Sequence, residues 1–352
     1  MDLNALREAL IEATHKRLMS DAPLGVLLSG GLDSSLISAI ASRRFREMGR
    51  TLNSFSIGLD HNAPDVKAAR QLAEFLRTDH HEIYFTIEEG IANIKNLIWH
   101  LESYDVTTVR ASTPMFFLSK HIHELGIKTV LSGEGADEIF GGYLYFHNAP
   151  SDEEFQKELI RRVKLLPTAD CLRADKSCMA NSLEIRVPFL DRKFLDVAML
   201  IHPQYKRAQE QNGKMVEKWI LRKAFDKDEY LPHEILWRQK EQFSDGVGYN
   251  WIDQLIEHCA SKITDDEMTN ASKTFTYNTP KTKEAYYIRK VFHEHFPSEQ
   301  AAQTVIMWKP KWQDNEDPSG RANEMHDQSL NKVRSSQQIK NGYVSHQNGV
   351  GK

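Results

Sequence analysis

A short apolar run that ends in two glycines constrains the fold of this chain more than any other feature. Residues 24–29 (LGVLLS) are continuous in the way of strands that are buried on both faces of a parallel sheet. Gly30 and Gly31 end the run, and the sequence from Asp33 onward has helical periodicity. Glycines permit positive φ and close backbone approach, and a helix start offers unpaired N–H groups. The segment therefore predicts a strand, a tight turn and a helix that together hold phosphate.

The polar residues of this turn narrow the chemistry. No G-K-[ST] follows the glycines, so the turn is not a Walker A loop and lacks the lysine of that motif. The Asp33 carboxylate would repel phosphate unless a divalent cation lay between them, so we interpret it as a Mg²⁺ ligand. Hydroxyls at Ser29, Ser34 and Ser35 support a polyphosphate site. The competing interpretation is a purely structural glycine turn with an Asp/Ser helix cap.

Strand-like and helical segments alternate over the first 150 residues. The predicted strands are residues 24–29, 51–58, 80–85 and 128–132, and the predicted helices are residues 3–19, 66–76, 91–101 and 114–125, with another starting at Asp33. This alternation predicts an α/β fold with a doubly wound, mostly parallel sheet, helices on both faces, and ligands beyond the carboxyl ends of its strands. Beyond about residue 150 the strand signal fades, and stretches such as KFLDVAMLI and KMVEKWILRKAF predict a helical half.

Charge and cysteine content exclude several classes of protein. The 352 residues contain 45 Lys+Arg and 49 Asp+Glu, a net charge of −4 that gives no reason to bind nucleic acid or an anionic membrane. Three cysteines without C-x-x-C spacing predict neither a disulfide framework nor a structural zinc site. The charged N-terminal stretch contains no apolar run of signal-peptide or membrane-spanning length, so we expect a cytoplasmic protein.

A second glycine-containing turn follows the predicted strand at residues 128–132. Its sequence, SGEGADE, again places small residues and carboxylates after a buried strand. Asp137 is placed to complete a Mg²⁺–pyrophosphate site with Asp33, and Glu134 to accept a proton or hold an amine. The alternative is an acidic cluster of Glu134, Asp137 and Glu138 that caps a helix.

The two turns carry a resemblance to known families. The string SGGLDS resembles the ATP pyrophosphatase (PP-loop) family, whose members cleave ATP between its α and β phosphates. Six longer strings resemble, in their order along the chain, the synthetase half of the glutamine-dependent asparagine synthetases. They are LLSGGLDSS, YDVTTVRASTPM, LSGEGADEIFGGYLYFH, RVPFLD, WRQKEQFSDGVG and EDPSGRA. The resemblance runs from about residue 2 to residue 326.

This resemblance implies a two-step reaction. The side-chain carboxylate of aspartate attacks MgATP to give β-aspartyl-AMP and pyrophosphate, and ammonia then displaces AMP to give asparagine. The ATP site implied is Leu27, Leu28, Ser29, Gly30, Gly31, Asp33, Ser34, Ile57, Ser132 and Gly133. The implied roles are Mg²⁺–pyrophosphate binding for Asp33 and Asp137, acid/base catalysis for Glu134, and charge neutralisation for Lys240. The implied aspartate pocket is Thr107, Thr108, Arg110, Glu138, Asp170 and Arg173.

The match breaks at the N-terminus. The family's full-length members begin with a glutaminase domain whose first mature residue is a nucleophilic cysteine, whereas Asp2 follows Met1 here. We therefore expect one synthetase unit at residues 1–313 (sheet part to about 150) and a polar, flexible tail at residues 314–352. The implied nitrogen donor is free ammonia, and the implied partners are a glutaminase domain or subunit, or a second copy of the chain.

Three functional hypotheses remain open at this point. The first is an ammonia-dependent ligase that makes asparagine. The second is a nucleotide-binding regulatory relic or inactive fragment, which damage at Asp33, Asp137, Glu134 or Lys240 would favour, but all four are intact. The third is another PP-loop chemistry, such as tRNA thiolation or β-lactam closure. Thiolation calls for C-x-x-C or a basic surface, and the sequence has neither.

Overall fold

A five-stranded parallel sheet organises the computed structural model, which describes residues 2–211, 214–238, 246–248 and 250–312. The strands are β1 (Leu24–Leu27), β2 (Asn53–Gly58), β3 (Asp79–Tyr84), β4 (Thr129–Leu131) and β5 (Glu184–Arg186), in the spatial order β3-β2-β1-β4-β5. Every neighbouring pair is parallel. The predicted doubly wound α/β fold is confirmed.

Helices cover both faces of this sheet. Those of the first half are α1 (Leu3–Lys16), α2 (Leu32–Glu47), α3 (Pro64–Leu76), α4 (Ile87–Leu101), α5 (Val106–Glu124) and α6 (Ala136–Phe140). Those of the second half are α7 (Asp152–Leu165), α8 (Asp170–Met179), α9 (Arg192–Met199), α10 (Trp219–Ala224), α11 (His233–Leu236), α12 (Asn250–Lys262), α13 (Asp265–Thr269), α14 (Ala271–Thr274), α15 (Lys283–His295) and α16 (Glu299–Gln303). Within the described residues, no helix is both long and apolar enough to cross a bilayer.

The sheet separates two hydrophobic cores. Side chains of β1 alternate between them: Val26 packs with α1, α2, α9 and α10, whereas Leu27 packs with α4, α5, α12 and α15. This alternation is the period of two that any strand imposes on its side chains. Because β1 is buried on both faces, its carboxyl end and the turn that follows are held rigidly.

The start of α5 corrects one prediction. The sequence predicted a helix from residue 114, but α5 begins at Val106 and Pro114 lies inside it. The Asp105 carboxylate caps this earlier start by accepting from the Thr108 amide at 2.8 Å. Pro114 has no N–H for the Arg110 carbonyl four residues earlier, and that carbonyl accepts from the Trp251 indole at 3.0 Å. A long-range contact therefore allows proline within the helix.

The second half contains strands that the sequence analysis missed. β5 extends the main sheet beyond residue 150, and β6 (Gln209–Gln211) pairs antiparallel with β7 (Lys214–Val216). The predicted helix at residues 214–225 is therefore wrong in its first part, since α10 begins only at Trp219. Lys218 separates β7 from α10 with a left-handed φ of 55°, which a continuous helix does not allow. The predicted tail at residues 314–352 lies outside the described residues.

Candidate active site

A cleft of about 1360 Å³, counting its solvent-open mouth, lies at the carboxyl edge of the sheet. It opens where the strand order reverses, between β1 and β4, which is the usual ligand position in open α/β sheets. The turn after each of these strands lines one wall. Phe55, Ile57, Met115 and Leu118 supply an apolar wall. The cleft therefore joins a polar floor to a surface on which a flat apolar group can rest.

The turn after β1 has the backbone geometry that its glycines predicted. Gly30 has a φ of 69°, and a Cβ there would lie 2.4 Å from the Cβ of Ala68 on α3, so only glycine fits. Gly31 caps α2 without a side-chain hydrogen bond. The hydroxyls of Ser29 and Ser34 lie 2.9 Å apart across the turn. The first N–H groups of α2 are therefore left for an anion, which the helix dipole also favours.

The turn after β4 packs against the backbone of the first turn. A Cβ on Gly133 would lie 2.6 Å from the Ser34 nitrogen and 2.8 Å from the Asp33 carbonyl carbon. Gly135 has a φ of 94°, and α6 begins directly after it and carries Asp137. The absence of a side chain at Gly133 thus lets the two turns touch and brings Asp33 and Asp137 into one site.

Lys218 joins these two carboxylates. Its ammonium contacts Oδ2 of Asp33 and lies 2.6 Å from Oδ1 of Asp137, and the residue is only 1 % exposed. We call this group of Asp33, Asp137 and Lys218 the lysine end of the cleft. The sequence analysis missed Lys218, because one lysine in a charged stretch, 185 residues beyond Asp33, carries no local signal.

The lysine end offers carboxylate donors of the kind that divalent cations take. Among the described residues, no group of three or more His, Cys, Asp and Glu side chains is placed to hold a metal. Mg²⁺, however, is commonly held by one or two carboxylates together with waters and substrate phosphates. Oδ1 of Asp33 is buried and has no hydrogen-bond partner. Two carboxylates with one unmatched oxygen therefore fit Mg²⁺ that arrives with a phosphate chain.

A second set of charges lines the same cleft. Nη2 of Arg173 donates to Oε1 of Glu134 at 2.8 Å, and Nη2 of Arg162 donates to Oδ2 of Asp170 at 3.2 Å. We call Glu134, Asp170 and Arg173 the arginine end. Burial raises the pKa of Glu134 although Arg173 opposes the shift. A carboxyl whose pKa moves toward neutrality is suited to proton transfer at physiological pH.

Glu138 and Tyr143 lie beside the arginine end. The Tyr143 hydroxyl donates to Oε1 of Glu138, and Tyr143 itself lines the cleft. Burial, followed by the charges of Asp170 and Asp137, raises the pKa of Glu138 well above its usual value. The guanidinium carbon of Arg162 lies 4.3 Å from the centre of a ring of Trp308. Arg162, which donates to Asp170, is therefore itself held against Trp308.

Most of the site residues predicted from the sequence line one cleft. They are Leu27, Leu28, Ser29, Gly31, Asp33, Ser34, Ile57, Thr107, Ser132, Gly133, Glu134, Asp137, Asp170 and Arg173. The structure brings these residues together from five separate segments, but it leaves their roles as predictions.

The remaining predicted residues lie elsewhere. Gly30 shapes the first turn from behind, and Glu138 contacts Tyr143 outside the lining. The Thr108 hydroxyl donates to Asp105, and Arg110 makes a buried two-bond pair with Glu284 of α15. Thr108 and Arg110 therefore do not line the cleft, as a direct aspartate contact would require. Lys240 lies outside the described residues.

Further lining residues escaped the sequence analysis. Tyr143, Trp308 and Arg238 line the cleft, as does the buried pair of Glu217 and Arg222 beside Lys218. Tyr143 lies in a string that was quoted for the resemblance, so its neighbourhood was a usable signal. Arg238 likewise lies in the quoted string WRQKEQFSDGVG, whereas Trp308, Glu217 and Arg222 lie in no string quoted for the resemblance and reach the turns only through the fold.

The sheet topology, the switch-point cleft and the two apposed glycine turns define an α/β protein with a site suited to a phosphate chain. Comparison with known proteins narrows this class. The family model described as "Asparagine synthase" matches residues 5–153 and 148–319. The chain belongs to the asparagine synthase family.

Curated relatives agree with this assignment. The chain is 53 % identical over 338 residues to an asparagine synthetase [glutamine-hydrolyzing] of Asparagus officinalis, covering 90 % of this chain and 57 % of that protein. It is 52 % identical over 343 residues to the Zea mays protein of the same name, covering 92 % and 58 %. A probable asparagine synthetase of Dictyostelium discoideum is 53 % identical over 339 residues, covering 92 % and 61 %. The chain thus spans about three fifths of these relatives' length.

Proposed function

We propose that this chain is a carbon–nitrogen ligase that makes asparagine from aspartate, ATP and ammonia through a β-aspartyl-AMP intermediate. The observation that carries the proposal is the meeting of two turns after adjacent parallel strands, which joins the lysine end to the arginine end in one cleft. Adenylation needs fixed cations at the phosphates and a separate carboxylate-binding pocket beside them. Lys218 and Arg173, which both line the cleft, support this division of roles.

ATP binds along the first turn in this proposal. Its base rests on the apolar wall formed by Phe55, Ile57, Met115 and Leu118. Its phosphates meet the N–H groups at the start of α2 and the hydroxyls of Ser29 and Ser34. Asp33 and Asp137 hold Mg²⁺, which supplies charge neutralisation on the phosphates when it is bound.

Lys218 has a defined part in this site. Its ammonium holds the two aspartates together in the structure, and the same position places a fixed positive charge beside the leaving pyrophosphate. Negative charge grows on the phosphate oxygens as the bond between the α-phosphorus and the bridging oxygen breaks. A buried cation that is already in position stabilises that charge without reorganising. We propose the same role for Lys240 in accordance with the family resemblance.

Aspartate binds at the arginine end in this proposal. The guanidinium of Arg173 offers donors to a carboxylate, and its Nη1 is buried without a hydrogen-bond partner. The Thr107 hydroxyl on the lining is likewise buried without a partner. Asp170 offers a carboxylate to the substrate ammonium. The side-chain oxygen of aspartate then forms a bond to the α-phosphorus, and pyrophosphate leaves with the electron pair.

Ammonia completes the reaction by attacking the acyl carbon of the intermediate. The carbon–nitrogen bond forms, AMP leaves with the electron pair of the broken carbon–oxygen bond, and the nitrogen loses a proton. Glu134 is placed to take that proton, because burial has raised its pKa toward the working pH. The source of ammonia is free ammonium, or glutamine through a glutaminase domain or subunit. A cytoplasmic location and a homodimer are part of the proposal.

The test is an assay of pyrophosphate release. With aspartate, MgATP and ammonium, release should depend on aspartate, and glutamine in place of ammonium distinguishes the nitrogen donors. Glu134→Gln keeps the size of the side chain and should abolish asparagine formation while ATP binding, measured by calorimetry, stays within about twofold. Glu153→Gln on α7 is the matched control, because its carboxylate is exposed and far from the cleft lining.

One outcome would overturn the proposed activity, and another would overturn only the role of Glu134. ATP binding without aspartate-dependent pyrophosphate release would favour a nucleotide-binding regulatory protein. Unchanged turnover in Glu134→Gln would remove the proton-transfer role from that residue and leave the ligase activity in place.

A further inference from the structure

The cleft is bordered by Arg238, which lies two residues after the end of α11. Its Nη2 donates to Oδ1 of Asp65 at 3.0 Å, and its Nη1 donates to the Ser29 carbonyl at 3.4 Å. Arg238 therefore spans from the first turn of α3 to the residue that precedes Gly30. Asp65 does not belong to any motif singled out in the sequence.

The same Asp65 carboxylate packs against a second described stretch, residues 246–248. A Cβ on Gly246 would lie only 2.1 Å from Oδ2 of Asp65, so the backbone there packs directly on the carboxylate. The next residue, Val247, is fully buried, and its carbonyl accepts from the Leu59 amide at 2.8 Å. Asp65 thus packs against both Arg238 and Gly246. These two residues flank residues 239–245, which are not among the described residues.

We propose that Arg238 is a further phosphate-binding residue of the cleft and that Asp65 is the positioning residue that holds its guanidinium there. The inference rests on the proposed function, because it requires a nucleotide phosphate chain along the first turn. A guanidinium is planar, so two fixed N–H groups fix the direction of the others. With two donors engaged by Asp65 and Ser29, the remaining N–H groups point as one unit toward a ligand.

Burial makes this arrangement effective. The Asp65 side chain is 7 % exposed and that of Arg238 is 19 % exposed, so the pair is partly withdrawn from water. In that setting an arginine without its carboxylate would turn toward solvent, where its charge is better hydrated. In this proposal Asp65 acts through Arg238 and does not touch the nucleotide. It restricts the Arg238 side chain before the nucleotide binds, so that Arg238 loses less conformational entropy on binding.

A purely structural role for Asp65 makes a different prediction. Asp65 lies in the first turn of α3, where a carboxylate stabilises a helix through the dipole. If that were its whole contribution, Asp65→Asn would lower the melting temperature and change all kinetic constants without regard to Arg238. A positioning role instead requires that the effect of Asp65 depend on the presence of Arg238.

The experiment is a double-mutant cycle on the full chain with Asp65→Asn, Arg238→Gln and the double variant. MgATP affinity is measured by calorimetry, and KM and kcat by pyrophosphate release. We expect Asp65→Asn to lower kcat/KM for ATP about tenfold, mostly through KM, with KM for aspartate within about twofold. In the Arg238→Gln background, Asp65→Asn should add almost nothing. Glu82→Gln, which breaks the pair of Glu82 with Arg70 on the same α3, should leave ATP affinity unchanged.

The outcomes separate the inference from the proposed function. The inference would be overturned if the losses of ATP affinity in the two single variants multiplied in the double variant. It would also be overturned if a lowered melting temperature were the only effect of Asp65→Asn. If Asp65→Asn does not fold, Gly246→Ala crowds the same carboxylate and should lower ATP affinity only when Arg238 is present. A wild-type chain that binds ATP without releasing pyrophosphate would remove the proposed function, while the cycle measured by calorimetry would still decide the role of Asp65.

Discussion

At the lysine end of the cleft, two carboxylates share one buried ammonium, whereas beside the arginine end Glu138 meets a tyrosine hydroxyl and burial raises its pKa. The two aspartates and Glu138 all carry carboxyl groups, and Asp137 and Glu138 are adjacent on α6. The difference lies in what faces them. Burial, together with the charges of Asp170 and Asp137, favours the protonated form of Glu138. The fold thus places two carboxylates that share a cation beside a buried carboxyl whose hydrogen-bond partner is a neutral hydroxyl.

The largest test of this comparison removes the shared cation. Lys218→Met keeps the length of the side chain but leaves Asp33 and Asp137 without their common partner. We expect pyrophosphate release to fall about 10²- to 10³-fold. We also expect the free energy of unfolding to fall by about 1–3 kcal/mol, because two partly buried carboxylates lose their counterion. Stopped assays and urea unfolding provide the two measurements.

A lysine on the same helix region supplies the control for this variant. Lys223→Met removes a side chain that pairs with Asp226 at the surface, so both quantities should change little. Pyrophosphate release within about tenfold of wild type in Lys218→Met would show that the lysine end works without this cation.

A second test separates the two turns. Gly133→Ala places a Cβ 2.6 Å from the Ser34 nitrogen, so the turns must move apart. We expect a loss of about 1–3 kcal/mol in the free energy of unfolding, together with a loss of ATP affinity. Gly31→Ala is the matched control for the free energy of unfolding, because its Cβ would meet only the Ser29 hydroxyl oxygen at 3.3 Å. Equal losses in both variants would contradict the close contact between the turns.

The smallest test addresses the buried carboxyl of Glu138. Since the pKa of Glu138 is raised in the folded chain, the fold is favoured below the usual Glu pKa and loses stability as pH rises toward the raised value. Glu138→Gln keeps an oxygen that accepts from the Tyr143 hydroxyl. Because glutamine does not titrate, the variant does not lose stability from this position as the pH rises. The melting temperature of the variant relative to wild type should therefore rise between pH 5 and pH 8, by about 3 °C.

An exposed glutamate gives the opposite case. Lys157 lowers the pKa of Glu153, so its stabilising contribution is complete above the usual Glu pKa and is lost only as pH falls below it. The melting temperature of Glu153→Gln relative to wild type should stay flat from pH 5 to pH 8. A flat difference in Glu138→Gln would show that Glu138 is ionised at neutral pH.

The parts of the structure that the sequence predicted well are those built from neighbouring residues. Both glycine turns, the strands that precede them and the parallel sheet follow from local patterns, and the structure has all of them. The parts that it missed depend on distant partners. Lys218 reaches Asp33 across 185 residues, and Arg110 is held by Glu284 across 174. Neither pairing leaves a trace in the residues around it.

Two errors in secondary structure have the same origin. Pro114 normally indicates a helix start, but the Trp251 indole satisfies the carbonyl that proline leaves open, so α5 continues through it. β5 is three residues long and is a strand because β4 lies beside it. Its own sequence, EIR, has too short a pattern to separate strand from helix.

The place of Lys218 in the chain has a consequence for how the protein is made. The ribosome delivers the two turns by residue 138, but Lys218, whose ammonium contacts both aspartates, arrives about 80 residues later. Until then the turns carry two like charges that repel each other at close range. The lysine end therefore forms only when β7 and α10 have been added, so a later part of the chain completes turns that were made before it.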